Sequence, residues 1–362
     1  MIHSPAGKPG FRVGLAGASS LLGQEILRVL RDRGFPVASI SKFEAEAEDP
    51  DLPVLDLSGQ IEFDEVDLGE EPGSLDLLFL AARPRSKAGE PGLLGRALAA
   101  AGLSTDSPGP TSCLVIDVAD ALGDVPGRKL AIPSCENTGR SSSHAALATV
   151  FASPHPATIV LSKILMRLAN QFKVEDCVAQ IFFPASELGP RGIEELQKQT
   201  LGLLSFQKVS QKVFGAQLAF NVLSRLSGKH SAEMAGVESA IRRELREFLP
   251  APISPPALRP CHAAVFYSLA FSIFVELGEE PGRDALTTAL SGNGITVRRR
   301  NEAAPNPVEA AGSGEIILDA VTHDPDRPGG YWIWAAVDNI RLAAENAVDI
   351  AQWSLLPRGP KQ

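Results

Sequence analysis

Through residue 152 the apolar positions form short runs divided by polar or glycine-bearing breaks. The runs VASISKF, SLDLLFLAA, CLVIDVA, KLAIPS and ALATVFA are short, β-branched or leucine-rich, and read as strands. Between them LLGQEILRVLRD and LLGRALAAAGL place apolar residues at helical spacing. Strands alternating with helices predict an α/β fold with a doubly wound parallel sheet. FRVGLAGASSLLGQEILRVLRDRGFPV, with its glycine turn and its helix ending at Gly34, is the opening of such a βαβ unit. Beyond residue 156 the pattern changes. VAQIFFPAS, AAVFYSLAFSIFVEL, GEIILDAV and YWIWAAVD are longer, alternating runs, which predict a mixed or antiparallel sheet carrying helices, hence a second, α+β domain. LPAPISPPALRP reads as a surface connection, and NIRLAAENAVDIAQWSLL as a closing amphipathic helix.

Length agrees with two cores, since 362 residues exceed what one core usually supports. A net charge of −9 argues against a nucleic-acid partner. No apolar run approaches the ~18 residues that span a bilayer, and MIHSPAGKPGF lacks the pattern of a secretion signal. Cys113, Cys135, Cys177 and Cys261 are far apart and show no ligand spacing, which predicts no metal and a cytoplasmic setting. Arg298, Arg299 and Arg300 read as a solvated or ion-paired strand end.

The residues FASPHPATIVL pose the chemical question. A strand, a tight turn and a helix start form the geometry that presents a nucleophile. Yet the apex is Pro154-His155-Pro156, and Pro156 has neither a reactive side chain nor an N–H.

Taken together with GQEILRVL, GFPV, the VID strand, GIEELQKQT, QLAFN, Glu309-Ala310-Ala311-Gly312-Ser313 and WAAVDNIR, the chain resembles the aspartate-semialdehyde dehydrogenase family nearly end to end. The resemblance implies a Rossmann-like domain over residues 1–153, completed by the helix 340–357, and a dimerisation domain over 154–339. It also implies interconversion of an acyl phosphate and a semialdehyde through a cysteine thioester, a proton-shuttling histidine and a nicotinamide. Residue by residue, the chemistry is missing. The nucleophile's position is Pro156, the histidine's is Leu269, the carboxylate-binding arginine's is His262, and the phosphate-binding arginine's is Gly123. Gln180, Glu194 or Glu195, and Asn339 near the nicotinamide remain as remnants. Of the stand-ins, Cys135 reads as a packed thiol and His155 as a solvent-facing turn residue. Cys261 and His262, adjacent on a strand, point to opposite faces.

The dinucleotide turn is Gly17-Ala18-Ser19-Ser20-Leu21-Leu22-Gly23, with Ser20 where the family keeps a middle glycine, so a side chain is expected to crowd the pyrophosphate. A second glycine pair has become Arg83-Pro84. Glu44 stands about where an acid grips a free ribose hydroxyl, and with Glu46, Glu48 and Asp49 it favours NAD over NADP, both weakly bound if at all. The resulting expectation is a non-catalytic, Usg-type family member that forms a homodimer. An active NAD(P)-dependent oxidoreductase with displaced residues and a non-enzymatic partner of a true family enzyme are the alternatives.

Overall fold

The computed structural model describes residues 10–43, 75–82, 93–103, 113–123, 125–136 and 150–356. The chain is an α/β protein of two compact units, residues 1–154 with 343–362, and residues 155–342.

In the first unit a parallel sheet has the order β2-β1-β3-β4-β6-β5, built from β1 (Phe11–Ala16), β2 (Val37–Phe43), β3 (Leu77–Leu80), β4 (Leu114–Asp117), β5 (Lys129–Leu130) and β6 (Val150–Ala152). β3 and β4 read LLFL and LVID without alternation because parallel strands at the centre bury both faces. On one face Leu15, Phe79 and Ile116 meet Ile26 and Leu30 of α1 (Leu21–Asp32) and Ala347, Val348 and Ala351 of α9 (Asn339–Leu355). On the other, Leu78, Leu80 and Val115 meet Ala97 and Leu98 of α2 (Leu93–Ala100). KLAIPS supplies only two strand residues before Pro133 opens the short α3 (Pro133–Glu136).

In the second unit eight strands form a mixed sheet, order β11-β12-β14-β10-β7-β9-β8, with β13 on β14, where β11 is Ile295–Val297, β12 Ile316–Leu318 and β13 Thr322–His323. Its centre is β7 (Val174–Phe183), β9 (Ala257–Ala263), β10 (Leu269–Leu277) and β14 (Gly330–Val337); β8 (Val222–Leu223) is its edge. The helices include α4 (Pro156–Ala169), α5 (Pro190–Leu204) and α6 (Ser231–Phe248).

Two sequence expectations are corrected here. AAVFYSLAFSIFVEL is not one strand: β9 ends at Ala263, and β10 starts only after Ser268, whose φ of 75° is incompatible with a continuing strand. LPAPISPPALRP is not wholly a connection, because β9 begins inside it at Ala257 and pairs in parallel with β7, Pro260 opposite Ile181.

Candidate functional site

β6 ends at Ala152, and α4 starts four residues later with Pro156 at its first position. Proline suits that position, because its fixed φ is helical and no intrahelical partner is lost. His155 is the N-cap: its Nδ1 accepts the Ala157 N–H at 3.0 Å, and its carbonyl accepts the Thr158 N–H at 2.8 Å. The buried Glu244 of α6 completes this helix end, with Oε2 accepting the His155 N–H at 3.0 Å and the Thr158 hydroxyl at 2.6 Å. A carboxylate is thus set against the positive end of α4 from within the chain.

His155 is not the solvent-facing residue expected. Its Nε2 lies 2.7 Å from Oε1 of Glu187, and its ring stands edge-on to Phe183 at 5.9 Å. Because Nδ1 accepts from the helix, the proton of the neutral ring sits on Nε2 and is donated to Glu187. The other Glu187 oxygen accepts from Asn339 Nδ2 at 3.4 Å; Asn339 Oδ1 in turn accepts the Ser268 N–H at 3.2 Å and the Ser186 hydroxyl at 3.5 Å. His262 also stacks on Phe183, 5.7 Å between centroids. Burial pushes its pKa down to about 4, although Glu187 pulls the other way. Leu269, at the expected histidine position, is fully buried and pairs with Val337.

The structure therefore gathers His155, His262, Glu187, Glu244 and Asn339, and leaves the other remnants elsewhere. Gln180 points to the opposite face of the sheet from Phe183 and donates to the Cys261 sulfur at 3.4 Å. Glu194 pairs with Lys198 on the helix surface. Buried Glu195 accepts from the Ser210 hydroxyl and from the N–H groups of Lys212, Val213 and Phe214 at 2.9–3.1 Å, a loop anchor with nothing left for a ligand. Cys135 is buried in α3. Sequence reasoning missed Glu187, Glu244 and Phe183. Glu244 alone had a signal, a carboxylate on the apolar stripe that runs Met234, Val237, Ile241 along α6.

At the dinucleotide turn Gly17 has φ 84°, and a Cβ there would come within 2.5 Å of the Ala82 Cβ; a Cβ on Gly23 would meet the Gly17 carbonyl at 2.2 Å. Both glycines are required by this close approach. The expectation that Ser20 crowds the turn is corrected. Its hydroxyl folds back as the N-cap of α1, accepting the Gly23 N–H at 3.0 Å and lying 2.7 Å from the Gly17 carbonyl. Ser19 is exposed, and Leu22 packs on the core. The N–H groups of Leu21 and Leu22, first in α1, have no acceptor inside the helix. Past β4, buried Asp117 accepts the N–H groups of Ala119, Ala121 and Leu122 at 2.9–3.2 Å and shapes the loop that ends at Gly123, φ 59°. Burial raises the Asp117 pKa, against its hydrogen bonds. Glu44, Glu46, Glu48, Asp49, Arg83 and Pro84 lie outside the described residues.

Among the described residues, no group of three or more His, Cys, Asp or Glu is placed to hold a metal, and no helix is long and apolar enough to cross a membrane.

Residues 165–342 match the family model described as semialdehyde dehydrogenase, dimerisation domain. The chain is 27% identical to an aspartate-semialdehyde dehydrogenase of Legionella pneumophila, over 94% of each chain. It is 25% identical to a USG-1 protein homolog of Pseudomonas aeruginosa, over 93% of this chain and 95% of the relative. Among solved structures, a probable aspartate-semialdehyde dehydrogenase from Pseudomonas aeruginosa superposes with a TM-score of 0.75 at 23% identity, covering 95% of this chain and 98% of that one. A Candida albicans aspartate-semialdehyde dehydrogenase with NADP has a TM-score of 0.56 at 14% identity, covering 95% and 98%.

Proposed function

Because this chain belongs to the aspartate-semialdehyde dehydrogenase family, with USG-1 homologues among its relatives, we propose that it is a Usg-type member that keeps the fold without the thioester chemistry. The observation that carries this reading is the apex itself: Pro156 opens α4, and Glu244 holds the helix end where a thiolate and an anionic substrate would have to sit. Proline has nothing to activate and no N–H for a tetrahedral oxyanion, and one such donor is worth about 3–4 kcal/mol in a working site. An incoming carboxylate or acyl phosphate would meet Glu244 instead of a free helix N-terminus. His155 cannot replace the missing base while one ring nitrogen caps α4 and the other serves Glu187. Leu269 is sealed in the core.

The dinucleotide turn fits its group better than the catalytic apex does. The N–H groups of Leu21 and Leu22 would hold a pyrophosphate at the start of α1, where Gly17 and Gly23 keep the turn tight. A bound nicotinamide would supply a hydride donor or acceptor. The acidic run Glu44, Glu46, Glu48 and Asp49 disfavours a 2′-phosphate, so NAD is preferred over NADP. Asn339 gives little to the nicotinamide, because its amide is already shared among Glu187, Ser186 and Ser268.

The test pairs calorimetric titration with NAD and NADP with turnover assays on aspartyl phosphate and aspartate semialdehyde. We expect NAD to bind tighter than NADP, no turnover by the natural chain, and none by Pro156→Cys with Leu269→His. The double variant still lacks the phosphate arginine at Gly123 and has His262 for the carboxylate arginine, and positioning supplies roughly 7–11 kcal/mol of barrier reduction. Semialdehyde formation by either protein would refute the non-catalytic reading.

A further inference from the structure

The chain passes between its two compact units twice, once at 154–155 and once at 342–343. Within the second unit, His155 is the first residue after one passage, and Asn339 lies just before the other. Both are bound by the same side chain: Glu187 holds His155 Nε2 at 2.7 Å with one oxygen and Asn339 Nδ2 at 3.4 Å with the other. The first unit repeats the device on its own side, where Asn346 of α9 donates to the Ser153 hydroxyl at 2.8 Å. In each unit, then, the two passing segments are tied by one polar side chain.

We infer that Glu187 is a clasp that makes the two passages a single mechanical element, so that loosening one loosens the other. The element that carries it is built rigidly. Glu187 sits in the single 3₁₀ turn Ala185–Leu188, whose Ala185 and Ser186 N–H groups donate to the Val265 and Phe266 carbonyls at 2.8 and 2.9 Å. The start of α5 presses against that turn so closely that a Cβ on Gly192 would come within 2.2 Å of the Ala185 carbonyl oxygen. A fixed post with a bidentate carboxylate transmits displacement, whereas a mobile one would absorb it. Glu244 supplies the contrast, since its Oε2 holds the first passage at His155 and Thr158.

The test is amide hydrogen exchange on the full chain, read at residues 155–158 and 339–343. His155→Asn keeps a side chain able to cap α4 but withdraws the imidazole from Glu187. It should speed exchange at 339–343 at least tenfold, because Glu187 links residue 155 to Asn339. In a Glu187→Ala background the same change should have no further effect there. Glu187→Gln, which cannot accept from both partners, should loosen one passage only, and Glu244→Gln should act on 155–158 alone. Exchange at 339–343 that stays within twofold of the natural chain in His155→Asn, or that rises equally with and without Glu187, would overturn the inference. The first comparison is made in the Glu187-containing chain, so it holds even if Glu187→Ala fails to fold.

Discussion

Ser268 carries a left-handed backbone, φ 75°, and its buried hydroxyl has no hydrogen-bond partner. A backbone of this kind favours glycine, because an L side chain there crowds the neighbouring carbonyl. A non-glycine residue there pays about 1–2 kcal/mol, of which the greater unfolded-state freedom of glycine returns roughly half. Ser268→Gly should therefore raise stability by about 0.5–1 kcal/mol in urea unfolding; a loss would show that the serine makes a compensating contact. His262 gives a pH signature. Its folded pKa, about 4, lies below its ordinary value because burial opposes the charged ring. Above pH ~6.5 neither state binds the proton; between there and pH 4 only the unfolded chain does, so this contribution is full at neutral pH and falls as the solution is acidified. The complete loss amounts to about 3 kcal/mol. His262→Phe, which preserves a ring against Phe183, should flatten the stability profile between pH 7 and 5. An unchanged slope would place the titration elsewhere.

At the scale of elements, the sequence was most readable where one local rule decides the outcome. β2 spans the VASISKF run, β3 and β4 lie inside the predicted apolar runs, and Pro156 starts a helix because its dihedral already fits one. It was least readable where a distant partner decides. Pro260 joins a parallel strand only because β7 lies beside it, and the break before β10 rests on one positive φ. The candidate site divides the same way. Pro156 and Leu269 were visible as positions, but the assembly of His155, Glu187 and Asn339 depends on contacts that cross 32 and 152 residues of sequence. Glu194 and Glu195 show the limit of reading neighbours alone. One faces Lys198 at the surface, while the other is buried beneath the loop 210–214 and satisfies four donors. Glu195→Ala leaves those donors unpaired at about 1–3 kcal/mol for each one that water cannot reach. It should cost 3 kcal/mol or more by that rough count, and should expose residues 205–215 to proteolysis. Glu194→Ala should stay within about 0.5 kcal/mol of the natural chain. Similar losses for the two variants would contradict the anchoring role.

For the whole molecule the second sheet is the deciding object, because its two faces differ. Ile181, Phe271, Ile273 and Ala335 are fully buried on one face. On the other, Val178, Phe274 and Trp332 lie side by side across β7, β10 and β14, and Phe182 packs against Trp334 in the same layer. Val178 and Trp332 remain 43% and 44% exposed, and Val222 on the edge strand 56%. Exposed apolar side chains arranged across neighbouring strands form a patch of the kind that protein partners cover. Residues 165–342 match a dimerisation domain, so the occupant we propose is a second copy related by a two-fold axis, which lets one self-complementary surface serve both partners. A stable pair needs at least ~1,000 Å² of buried surface. Trp332 is the anchor to test, being the large aromatic of the row that stays 44% exposed. Light scattering at micromolar concentration should give twice the chain mass for the natural protein. Trp332→Glu should weaken association at least a hundredfold, since it sets a second carboxylate beside Asp324, which accepts from the Trp332 indole, on a surface that pairing would desolvate. A natural chain that stays monomeric, or a Trp332→Glu variant that pairs undiminished, would exclude this face as the dimer interface.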